Sequence, residues 1–199
     1  MSRLRFVMGS KNMVMFFILS ALILAYMWTY VDDVMYFFSD RTPADLGSAM
    51  DVDKDVLADI SDGDYVKISG IRSIQGGTFE SGLFAEPHMV YYLTGNKKFL
   101  ILEKKPEDEE GVGPRRMEVK GRIYAFSSDS RAERMREFFK TQLLLEMSPD
   151  GYLIKHGDIP GEDYTSLVVF IILMIFFIFN VYTMFKTYKK NEEIDFEEI

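Results

Sequence analysis

Two kinds of hydrophobic pattern alternate along this chain. From Met13 to Val31 (MVMFFILSALILAYMWTYV) and from Tyr164 to Phe185 (YTSLVVFIILMIFFIFNVYTMF) there is no Asp, Glu, Lys, Arg, His or Pro. Each run reaches the roughly 20 residues that a helix needs to span a bilayer. A buried helix of a soluble protein is seldom apolar on every face, so both runs are expected to be transmembrane helices, at 13–31 and 164–185. Arg3, Arg5 and Lys11 give the first run the basic start of a signal peptide. Its apolar part exceeds the roughly 7–15 residues of such a segment, and no small-x-small cleavage signature accompanies Trp28, Tyr30 and Val31, so it is expected to stay as an anchor.

Between the runs the pattern changes to period two, the mark of strands with one buried face. In DYVKISGIRS, Val66 and Ile68 alternate with Tyr65, Lys67 and Ser69, and Gly70 interrupts. Met89 to Leu93 and Phe99 to Leu102 flank the short loop TGNKK, which predicts a hairpin. From Arg116 to Phe126, Met117, Val119, Gly121, Ile123 and Ala125 share one face, and Tyr152 to Ile154 is a last short strand. The mid-strand glycines Gly70 and Gly121 predict structural bends of the kind that let a small sheet close on itself. A helix is expected over 130–147, with Ser130 to Glu133 as a capping box and Met135, Phe138, Phe139, Leu143 and Met147 as an apolar stripe that plugs the open end of the barrel.

The fold expected is therefore a membrane protein in which two transmembrane helices flank an extracytoplasmic, mainly-β domain. That domain, residues 63–160, is a small OB-like barrel or half-barrel with one amphipathic helix. Residues 1–12 form a cytoplasmic N-terminus, 32–62 an interfacial and acidic connector in which Val34 to Phe38 lies along the membrane interface, and 186–199 an acidic cytoplasmic tail.

Charge sets the orientation. Arg3, Arg5 and Lys11 precede the first run and Lys186, Lys189 and Lys190 follow the second, whereas Asp32, Asp33, Glu162 and Asp163 occupy the opposite ends. The positive-inside rule puts both termini in the cytoplasm and residues 32–163 outside, in the periplasm if the cell is Gram-negative, with the chain in the cell (inner) membrane. The net charge of −8 divides as +3 before the first run, −9 up to the end of the second and −2 after it. An acidic outer domain argues against nucleic acid as a partner, since phosphate backbones need clustered cations.

The search for chemistry returns little. With no cysteine in the chain there is no disulfide, thiolate metal site or catalytic thiol. His88 and His156 are the only histidines; no G-x-S-x-G elbow accompanies them, and a metal site would need both to converge with a carboxylate. Asp51, Asp53 and Asp55 resemble the start of a calcium loop but lack its central glycine and closing glutamate, so a solvated helix start is expected. SIQGGTFESG lacks the lysine of a phosphate-binding loop, and the segment Lys104 to Arg116, with Glu107 to Glu110 between two basic pairs, is expected to be a solvated loop. No cofactor is expected. Inside the apolar runs, Ala21 and Ala25 have the spacing that permits close helix packing, and Asn180 is the strongly polar group of the second run.

In layout, a span at each end and a β-rich domain between, the chain resembles the surfeit-locus family of cytochrome oxidase assembly factors. The resemblance implies an assembly role. The tryptophan- and arginine-containing motif that follows that family's first span is missing, Trp28 lying inside the run, so no residue is carried over. The function expected is that of a non-enzymatic accessory or assembly protein of a larger membrane complex, whose partners are the lipid bilayer and other membrane protein subunits. A tethered binding module for an envelope protein or small ligand is the alternative, and an enzyme with a dispersed site the third.

Overall fold

A computed structural model describes residues 2–52, 54–79, 87–95, 97–105 and 114–197, with the side chains of 2–12, 54 and 190–197 outside the description. Asp53, Glu107 to Glu110 and Gly111 lie outside the described residues, as do the side chains of Arg3, Arg5, Lys11 and Lys190. In chain order the elements are α1 Ser2–Trp28, α2 Val31–Phe37, β1 Ala44–Ser48, α3 Lys54–Ala58, β2 Tyr65–Phe79, β3 His88–Thr94, β4 Phe99–Lys104, β5 Arg116–Ala125, α4 Ser130–Gln142, β6 Tyr152–His156 and α5 Thr165–Glu197. They form two compact units, Met1–Phe37 with Asp163–Ile199, and Phe38–Glu162.

The first unit is helical. Within α5, Thr165–Lys189 is long and apolar enough to cross a bilayer. Met13–Trp28 passes the same test only together with Val31–Phe37, from which it is bent by 46°. The break has a local cause. Thr29 N and Oγ1 both bond back to Tyr26 O, ending α1. Asp32 and Asp33 then occupy the first turn of α2, where negative charge favours a new helix start.

The second unit is a sheet of mixed direction whose pairings run in a ring. The first half of β2, Tyr65 to Ile71, lies antiparallel to β5 from Arg122 to Arg116. From Ile71 to Phe79 β2 pairs with β3 instead. β3 pairs antiparallel with β4, β4 parallel with β6, and β6 antiparallel with β5, which closes the circuit. Gly70 sits immediately before the exchange of partners. A Cβ there would stand 3.2 Å from both Ala49 Cβ and Leu93 Cδ1. Gly121 is under a stricter constraint: a Cβ would fall on the Lys155 carbonyl oxygen and 3.1 Å from His156 Cα, so β5 and β6 approach too closely there for any side chain.

Alternation sorts the side chains. Val66, Ile68, Tyr91, Leu93, Phe99, Ile101, Val119, Ile123 and Ile154 fill the inside of the ring. Their neighbours Val90, Leu100 and Leu153 point outward from β3, β4 and β6 and are equally buried. These three strands are apolar on both faces, which is why their runs lack the polar alternation of β2 and β5. The cover on the outer face is α4, through Ala132, Met135 and Phe139, with Tyr92 edge-on to Phe139 at 6.3 Å. Burying a side chain such as Phe139 contributes about 2–3 kcal/mol.

Four expectations are corrected by this arrangement. The amphipathic helix is no plug, because its stripe lies on the outside of three strands. It ends at Gln142, short of 147, because Leu144 turns into the left-handed region at φ 53° and Leu145 N bonds back to Phe139 O. Its N-cap is Asp129 in place of Ser130, with Oδ1 accepting from Arg131 N and Ala132 N. Partial burial opposes ionisation of Asp129, but these bonds and the Arg131 guanidinium outweigh it and hold the carboxyl below its usual range. The acidic connector 32–62 is also more than a solvated stretch. It supplies β1, parallel to β2, and α3, and its Leu46, Ala49 and Leu57 join the interior cluster, with Val52 and Ile60 packed against it. An isolated Leu or Val among aspartates shows no period, so the pattern alone could not mark it as core.

The two strand glycines should differ in replacement. Gly121→Ala puts a methyl into the β6 backbone and is expected to cost about 3 kcal/mol or more, whereas Gly70→Ala meets side chains that can shift and should cost about 1 kcal/mol. Thermal unfolding of the whole chain in detergent measures both.

Candidate functional site

At one end of the ring every strand contributes an inward side chain to a polar layer. Arg72 comes from β2, Met89 and Tyr91 from β3, Glu103 from β4, Met117 from β5 and His156 from β6. Register brings them together: Met89 faces Glu103 across β3 and β4, and Leu102 pairs with Lys155, which sets Glu103 beside His156.

Arg72 is buried, with 3% of its side chain exposed. Its guanidinium lies 4.2 Å above the Tyr91 ring, Nη2 donates to Met89 Sδ, and Nη1 stands 3.8 Å from Glu103 Oε2. Nε has no hydrogen-bond partner among the described residues. Tyr91 donates its hydroxyl to Glu103 Oε2 at 3.0 Å and touches Met117 Sδ at 3.5 Å. Burial, then the neighbouring Glu103 charge and the bond to it, push the Tyr91 phenol well above its ordinary value, so it stays protonated as a donor. His156 donates from Nδ1 to the Lys120 carbonyl at 3.1 Å, and its Nε2 stands 3.9 Å from Glu103 Oε1. Glu103 and His156 keep 21% and 29% of their side chains exposed, so the layer opens to solvent on their side.

The layer is a buried cation under a half-exposed carboxylate and imidazole, able to bind a polar group or to exchange protons with solvent. The two histidines do not converge. His88 precedes the inward Met89 by one residue and so takes the opposite face of β3, while His156 points into the ring. Among the described residues no three His, Cys, Asp or Glu side chains come together in a way that could hold a metal ion. None of Arg72, Tyr91 and Glu103 stood out in the sequence. The available signal was a charge at an inward position: Arg72 follows Ile68 and Gly70 at period two, as Glu103 follows Ile101.

In the helical unit, Asn180 is buried between α5 and α1, where Nδ2 donates to Phe16 O at 2.9 Å and Ser20 Oγ at 2.7 Å. Ser166 Oγ donates to Asp33 Oδ2 at 3.3 Å, so the two helices run antiparallel. Met13, Phe16, Ser20, Ile23 and Met27 line the shielded side of α1, whereas Ala21 and Ala25 are exposed and take no part in this contact. Lys186 and Lys189 lie in α5 after the uncharged run that ends at Phe185.

No protein family, curated protein or solved structure matches the chain.

The ion pair in the layer should show the asymmetry of buried charge. Glu103→Leu strips Arg72 of its counter-charge and is expected to cost about 3 kcal/mol. The double variant Arg72→Met with Glu103→Leu should recover most of that loss, as chemical unfolding in detergent will show.

Proposed function

We propose that this chain is a two-span membrane protein that holds a small OB-like barrel outside the cytoplasm and serves a larger membrane complex as a non-enzymatic accessory or assembly subunit. The observation that carries the reading is the Asn180 seam. A mere tether needs only length and apolarity, yet here Asn180 bonds both the Phe16 carbonyl and the Ser20 hydroxyl, so the two helices form one packed body. Around that seam the outward residues are large and apolar, among them Phe17, Ile18, Leu22, Ile171, Ile175, Phe176 and Phe179, all exposed. Such a body offers a fixed pattern of side chains to lipid and to neighbouring helices, where association depends on van der Waals fit. The basic residues at one end and Asp32, Asp33 and Asp163 at the other support the stated orientation. The ring order, in which β2 pairs with β3, β3 with β4, β4 with β6, β6 with β5 and β5 with β2, supports the OB-like reading.

The alternative, a tethered binding module, draws support from the polar layer, since a barrel that only filled space would have no use for a buried arginine whose Nε has no partner among the described residues.

Two measurements test these readings. A reporter fused after Ile199 should be cytoplasmic and one inserted at Gly111 external; the reverse would overturn the orientation. Replacing the outward residues of both helices by Leu and Ala, with Phe16, Ser20 and Asn180 kept, should release the proteins that co-purify with the native chain in mild detergent. Unchanged partners would move the function to the barrel and favour the tethered module.

A further inference from the structure

We propose that Glu103 and His156 form a proton-operated clasp that draws β4 and β6 together at the open end of the barrel when the surroundings turn acidic. The argument rests on which lone pairs are in use. Glu103 Oε2 accepts from the Tyr91 hydroxyl at 3.0 Å and faces Arg72 Nη1 at 3.8 Å. Among the described residues, Oε1 faces His156 Nε2, at 3.9 Å. On the other side of the ring, Nδ1 stands 3.1 Å from the Lys120 carbonyl. A carbonyl oxygen can only accept, so Nδ1 carries the hydrogen and the neutral imidazole presents a lone pair at Nε2. Two acceptors then face one another across the mouth. A single proton on Nε2 turns that opposition into a charge-assisted hydrogen bond. The proton comes from solvent, which reaches both side chains, since 21% of Glu103 and 29% of His156 are exposed.

Beside Glu103 and His156, the described residues of the packed elements carry these charges. Arg115, just before β5, acts on Tyr91 through space. Arg72 on β2 and Tyr91 on β3 serve the other carboxylate oxygen. On β5, the Lys120 ammonium is 2.9 Å from Glu118. On β6, Lys155 precedes His156 by one residue, so its side chain takes the opposite face, and it bonds Asp158 at 2.8 Å. β4 and β6 are parallel neighbours separated in sequence by β5 and α4, so nothing local holds their C-terminal ends together. Beyond the last paired residues, Leu102 and Lys155, the clasp is the next link outward. Closing it tightens the mouth above Arg72 and Tyr91, which are already buried.

Histidine changes charge in the range about pH 5 to 8, which defines the window to be examined. Amide hydrogen exchange is measured on the full chain in detergent across that window, with the intrinsic pH dependence of exchange removed. Amides at the C-terminal ends of β4 and β6 should slow several-fold toward acid. The slowing should vanish in His156→Asn, which keeps a donor for the Lys120 carbonyl, and in Glu103→Gln, while His88→Asn responds like the native chain. Unchanged exchange in the native chain, or slowing that survives in His156→Asn, would overturn the clasp. Nitrogen NMR of the histidine-labelled native chain gives a readout that needs no variant. Nδ1 should carry hydrogen throughout and Nε2 gain it toward acid; a hydrogen on Nε2 with a bare Nδ1 at neutral pH would sink the proposal equally.

Discussion

The carbonyl of Lys155 occupies the place where a side chain at position 121 would begin. That single close approach of β5 to β6 lets five strands return to their starting point, and most of the sheet unit depends on it. With Gly121 paired both to Val66 of β2 and to His156 of β6, β5 is held between the first strand of the ring and the last. A closed ring has an inside, and the alternation of strands then divides every side chain between lumen and exterior. It also has no long free edge, which removes the row of unpaired backbone groups that would template association with other chains. The short β1 is covered on one side only, but it carries a break in register between Asp45 and Ser48 that disfavours further pairing.

Closure leaves two problems that the remaining elements answer. Three of the strands are apolar outside as well as inside, so α4 lies over them, and the chain enters and leaves this helix through Phe126 and Met147, both buried. The lumen must also be filled. Leu46, Ala49 and Leu57 from the segment before β2 join its apolar cluster. One end carries the layer of Arg72, Tyr91, Glu103 and His156. A hydrophobic filling there would be no less stable, because desolvating a charge pair offsets most of its attraction. The presence of charge at that end is therefore a choice of chemistry over stability, and it makes the open end the place where this unit can respond to solvent.

Asn180 repeats the same logic in the helical unit. An amide among apolar side chains is costly unless both its partners and its geometry are supplied. Phe16 and Ser20 supply them, and in doing so fix the rotation of α5 against α1. The outward face of the pair is thereby fixed too.

Much of this was legible in the sequence, and the limit has a physical cause. Strand positions, the interior glycines, the hairpin around Gly95, the two long apolar helices and the polar oddity of Asn180 follow from local rules of period, length and backbone freedom that act over a few residues. The partner of each group does not. That α4 covers the outside, that the aspartate-rich stretch supplies core side chains, and that Arg72, Glu103 and His156 meet at one mouth depend on the order in which strands close the ring; that Asn180 bonds within the chain depends on how α1 and α5 pack. Residues 72, 103 and 156 are far apart along the chain, and a charge at an inward position does not say which other strand it will meet. Only the tertiary structure, by setting β6 between β4 and β5, decides that their charges share one space.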